Sequence, residues 1–250
     1  MATVSTFYPD DTWGNTTADG IVLCNACEGT SATFSTVRDS SLGAAVYATA
    51  PTTLSDIAAW NVTDRYYRIT RMISTYDTSA IGADTISAAI SSYYGSGSSS
   101  TITGESVVIS DATPASNNAF VAADYTVTNW STTELSASRI ATGSWNTSAY
   151  NDFTLDASGI SNIDGSGITK MGLRMSSDFD NTAPSWASFG SASVAGFYAS
   201  ETGTDKDPKL VVTHVAPGPA FASLNGVATG GIATINGVDI TLVASVNAQI

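Results

Sequence analysis

The stretch Tyr66-Tyr67-Arg68-Ile69-Thr70-Arg71-Met72-Ile73-Ser74-Thr75-Tyr76 decides the fold class. It is rich in β-branched and aromatic residues and holds no glycine or proline. Side chains of an extended chain alternate between two faces, so Ile69 and Ile73 share one face with Tyr67. Arg68, Thr70 and Met72 share the other. Downstream, Asp84-Thr85-Ile86-Ser87-Ala88-Ala89-Ile90-Ser91 repeats the period, with Ile86, Ala88 and Ile90 on one side. Tyr93 and Tyr94 then run into a glycine-serine stretch, 95–100, whose composition reads as a flexible loop. Strands are further expected at 107–109, 120–128, 168–176, 196–200 and 209–215, and a short helical turn at 156–163. Short strands punctuated by turn residues point to a sandwich or barrel rather than to βαβ units. The expected fold is all-β: a jelly-roll β-sandwich over 1–216.

Composition agrees with that reading. The chain has 250 residues, of which 35 are Ser and 34 Thr, while only 12% are charged. Strong helix formers are scarce. Nine Lys and Arg stand against 22 Asp and Glu, giving a formal net charge of −13. Such a chain lacks the basic face that neutralises phosphates, which argues against a nucleic-acid partner, and anionic membranes repel it. No apolar run approaches the roughly 18 residues of a membrane span. Met1-Ala2-Thr3-Val4-Ser5-Thr6 shows neither the basic nor the apolar part of a secretory leader.

At Ala216-Pro217-Gly218-Pro219 the grammar changes. Aligned at a period of eleven, 217–250 reads Phe221-Ala222-Ser223-Leu224-Asn225-Gly226-Val227, then Ile232-Ala233-Thr234-Ile235-Asn236-Gly237-Val238, then Val243-Ala244-Ser245-Val246-Asn247-Ala248. Asn225-Gly226 and Asn236-Gly237 suit turns that need positive φ. Asp239 is the only charged residue there. A ribbon of this length cannot bury its own apolar face, so it is expected to dock in an assembly or to oligomerise. Phe221, Leu224, Val227, Ile232, Ile235, Val238, Val243, Val246 and Ile250 are the residues expected to anchor it.

The strand at 66–76, its continuation Asp77-Thr78-Ser79-Ala80-Ile81 and the strand from Asp84 resemble the Arg/aromatic strand, F-D-T-S and sorting-strand pattern of DNRLRE-type β-sandwiches. Phe197-Tyr198-Ala199-Ser200-Glu201-Thr202-Gly203 with Pro208-Lys209-Leu210-Val211-Val212-Thr213 resembles the closing strands of that family. The resemblance covers 1–215, although the eponymous hexapeptide is not present. It implies a carbohydrate-binding-module-like surface domain of bacterial and phage proteins. The Ser/Thr-Ile-Asn-Gly-Val repeats separately resemble those ending structural proteins of tailed phages.

Candidate chemistry is sparse. There is no nucleophile elbow, phosphate loop or paired-histidine zinc motif, and His214 is the only histidine. Cys24 and Cys27 form a lone C-x-x-C without a second pair of metal ligands. Asp10, Asp11 and Asp19, with the loop bearing Asp178 and Asp180, are candidates for a structural calcium, because that ion takes several loop oxygens. No other cofactor is expected. Tyr93, Tyr94 and Trp145 are candidates for stacking on a sugar. Arg65, Arg68 and Arg71 are expected to pair with carboxylates. The two resemblances together imply a virion surface protein, a capsid decoration or head fibre, and the absence of a catalytic motif makes it expected to be non-enzymatic. Its expected partners are copies of itself, as a trimer, and another virion protein such as the major capsid protein. The alternative is a module that recognises a host surface glycan.

Overall fold

The computed structural model describes residues 1–10, 14–25, 31–47, 52–186, 188, 190–200 and 205–217 with their side chains, and the backbone of four two-residue strands between 223 and 239. Among them β1 (Thr3–Phe7), β2 (Asp19–Asn25), β3 (Ala45–Tyr47), β4 (Thr52–Ala59), β5 (Tyr66–Asp77) and β6 (Thr85–Ser100) make up the first part of the chain. Then follow β7 (Ser106–Ala112), β8 (Trp130–Glu134), β9 (Ile140–Ala141), β10 (Tyr150–Thr154), β11 (Ile168–Met175), β12 (Ala192–Tyr198) and β13 (Lys209–Val215). All pairings are antiparallel.

The long strand β6 joins two sheets. Its first half pairs with β13, which carries β1 on its far side, and residues 90–94 pair with β10. Its second half pairs with β12 and continues through β4, β5, β11 and β7. The two layers meet at Tyr93. Its ring lies 6.1 Å from Phe153 and 5.8 Å from Phe197, and its hydroxyl lies 3.1 Å from Ser74 Oγ of β5. Ala89, Leu210 and Val212 complete the inner face of the smaller sheet. The chain is therefore an all-β sandwich, as the alternating segments predict.

Strand β5 is buried on both faces. One side carries Met72, Ser74 and Tyr76, and the other carries Ile69, Arg71 and Ile73. The second side is roofed by α1 (Phe34–Arg38) and by the segment before β8, where Tyr125 Oη donates to Val37 O at 2.8 Å. Trp130 closes this roof over Gly172; a Cβ there would lie 2.2 Å from the indole.

Two expectations need correction. Residues 95–100 are not a loop but the second half of β6. Pairing with β12 outweighs the turn-prone composition, and glycine is required for a different reason: a Cβ on Gly95 would lie 1.8 Å from Asn146 O. Residues 120–128 form no strand. They coil into 3-10 turns at Ala122–Tyr125 and Val127–Asn129, because the Asp124 carboxylate accepts hydrogen bonds at 2.8 Å from Ala115 N and Val121 N. The expected turn at 156–163 contains α2 (Ala157–Ser161), capped by Asp156, whose side chain accepts from Ser158 N and Gly159 N.

After β13 the repeats give two hairpins. β14 (Ser223–Leu224) pairs with β15 (Val227–Ala228), and β16 (Thr234–Ile235) pairs with β17 (Val238–Asp239). Each pair flanks an Asn-Gly dipeptide, and the second hairpin begins eleven residues after the first.

Candidate functional site

Of the three aromatics expected to bind sugar, two belong to the core. Tyr93 is fully buried, and Trp145 is 4% exposed with Nε1 donating to Gly196 O at 2.9 Å. The alternation of β6 puts Tyr93 inward and Tyr94 outward. Tyr94 alone of the three lies on a surface, and two tyrosines that the sequence did not single out join it there. Tyr150 is its cross-strand partner on β10, with ring centroids 5.2 Å apart, and Tyr198 of β12 lies 5.8 Å away on the other side. Both contacts are edge-to-face. Lys206 Nζ lies 4.5 Å from the Tyr198 centroid and 5.2 Å from that of Tyr94, and Lys209 Nζ lies 3.7 Å from Tyr150. Two of the chain's three lysines therefore sit on one half-buried aromatic patch. Tyr94 Oη donates to Ser148 O at 2.5 Å, and Tyr150 Oη to Asp205 O at 2.5 Å. Burial, with Tyr8, Asp207 and Asp205 nearby, pushes the Tyr150 hydroxyl up to about 12. Chemically the patch offers ring edges, hydroxyls and ammonium groups. No motif announces it, because its members come from four separate segments.

A concavity of about 250 Å³ is lined by Ile21, Leu23 and Asn25 of β2, Tyr47 of β3, Leu54 of β4 and Arg68 of β5.

The structure describes four of the five calcium candidates. Asp178, in α3 (Ser176–Asp180), is fully buried, and its two oxygens accept from Arg71 Nε at 2.8 Å and Nη2 at 2.7 Å. Burial opposes the charge of Asp178, but Arg71 prevails and holds the carboxyl below its usual value. Asp180 accepts from Arg139 at 2.6 and 2.8 Å. Asp10 Oδ2 accepts from Thr16 N and Thr17 N, both at 2.9 Å. Asp19 Oδ1 accepts from Ser200 N and Oγ, while its buried Oδ2 has no hydrogen-bond partner among the described residues. Asp178 and Asp180 are thus arginine partners and Asp10 caps a turn, while Ser200 Oγ lies within hydrogen-bond reach of both Asp10 O and Asp19 Oδ1 and links those two residues. Among the described residues no three metal-ligating side chains cluster, and Asp11 lies outside them.

Arg68 pairs with Asp56, so two of the three strand arginines meet carboxylates. Arg174 is buried as well, between Phe179 and Trp130, and desolvation lowers it to about 10. Cys24 is buried in a disulfide, whereas Cys27 lies outside the described residues. The backbone of Leu224, Val227, Ile235 and Val238 lies in the hairpins. The side chains of these four, like Phe221, Ile232, Val243, Val246 and Ile250, lie outside the described residues. No helix of the described residues is long and apolar enough to cross a membrane.

No family model and no curated protein matches the chain.

Proposed function

We propose that the chain is an exterior virion protein, a capsid decoration or head fibre, that displays its β-sandwich outward and is held through 217–250. The observation that carries this reading is the hairpin repeat. Two hairpins at an eleven-residue step follow a sandwich that ends at Val215. Two-stranded hairpins of this length are not stable alone in water, so a partner surface is needed to hold them. Sister copies, as a trimer, or the shell of the particle supply it. Removing 220–250 is expected to abolish incorporation into particles while leaving the sandwich folded. Normal incorporation of the truncated protein would defeat the reading.

A second reading, recognition of a host surface glycan, is favoured by the tyrosine patch. Aromatic rings beside ammonium donors and hydroxyl oxygens that can still accept match the mixed apolar and polar faces of a sugar. Tyr94→Ala and Tyr150→Ala should remove any signal on a glycan array, and an array without hits for the intact chain would count against it.

A further inference from the structure

The single histidine sits in a hydrogen-bonded relay. His214 Nδ1 lies 2.6 Å from Asp84 Oδ2, and Nε2 lies 2.9 Å from Ser5 Oγ. The three residues come from the edge strand β1, from β13 and from the turn before β6, where Asp84 N donates to Ile81 O at 3.3 Å. His214 is buried, and Ser5 is half-buried. A second feature points to the same place: the β13–β6 register breaks between Thr213 and His214, so a bulge sets the angle of the imidazole.

We propose that Ser5, His214 and Asp84 form an acyl-transfer site for esters of short acyl groups. In its neutral form the imidazole donates Nδ1–H to Asp84 and turns a bare Nε2 toward the Ser5 hydroxyl, the arrangement that activates a serine. Ser5 Oγ attacks the ester carbonyl as its proton passes to Nε2. Asp84 holds the resulting imidazolium. The C–O bond to the alcohol then breaks, and the Nε2 proton leaves with the alkoxide. Water attacks the acyl-serine by the same route, gives a proton to Nε2, and the serine recovers its own as the acid departs. The oxyanion has donors available. Among the described strands β1 pairs only with β13, so N–H groups of alternate residues beside or at Ser5 face away from that ladder. Val212 lies directly opposite Ser5, and Phe7 lies on the same face, which limits the acyl group to a short one.

The proposal does not rest on the virion reading. The test is to incubate the full chain with a fluorophosphonate probe, map any adduct by mass spectrometry, and follow p-nitrophenyl acetate hydrolysis across pH. A single adduct on Ser5 is expected, absent in Ser5→Ala. Asp84→Asn should slow labelling and hydrolysis by about 10³-fold or more, through loss of the correct tautomer, and should change the pH profile. Thermal melting of each variant separates loss of chemistry from loss of fold. No adduct on the folded wild-type chain, an adduct elsewhere, or Ser5 labelling unchanged in Asp84→Asn would overturn the proposal and leave the three residues as a clasp on β1.

Discussion

Asp19 shows how one buried oxygen sets a pH dependence. Burial raises its pKa from 3.8 to about 6, against hydrogen bonds from Ser200. The folded chain therefore holds this proton more tightly than the unfolded chain. Its contribution to stability is complete below about pH 4 and is lost as pH rises through about 6. Two units correspond to about 3 kcal/mol as a ceiling. Asp19→Asn mimics the protonated form, so its melting temperature should exceed wild type at pH 7.5 and match it near pH 4; equal pH slopes would refute this. Asp178 behaves in the opposite way. Asp178→Asn removes the counter-charge of the fully buried Arg71 and should destabilise the sandwich by about 3–5 kcal/mol in denaturant unfolding.

The element that governs the architecture is β6. It belongs to both sheets, and Gly95 marks where it passes under the Asn146 carbonyl. Gly95→Ala must push that backbone away, at a cost of roughly 1–3 kcal/mol, and the strain should appear as a lower unfolding midpoint. The same crossing brings Tyr94, Tyr150 and Tyr198 together. Read from sequence, Tyr93 and Tyr94 share one sugar platform, whereas alternation along β6 sends them to opposite faces. It does not foretell which of them faces water, because that depends on where the second sheet lies.

For the whole molecule, the charge of −13 keeps copies apart unless a segment with almost no charge draws them together. The repeat is such a segment. In light scattering the full chain should give a trimer mass and a chain ending at residue 216 a monomer mass. A monomeric full chain would make the repeat a ligand for a foreign groove instead.

The sequence by itself determined the all-β class, the strands at 66–76, 168–176 and 209–215, the short helical turn at 156–163 and the eleven-residue repeat. These are local matters of periodicity, capping and turn chemistry. Tertiary structure decided what distance along the chain conceals. It made 95–100 a strand and 120–128 a pair of turns, because ladder pairing and the Asp124 carboxylate outweigh composition. It turned Asp178 and Asp180 into arginine partners and enclosed Tyr93 and Trp145. It brought Ser5 to His214 across 209 residues and His214 to Asp84 across 130. Such meetings arise from strand register and from a bulge. Register is fixed by the burial of whole faces against one another, and no short window of sequence contains it.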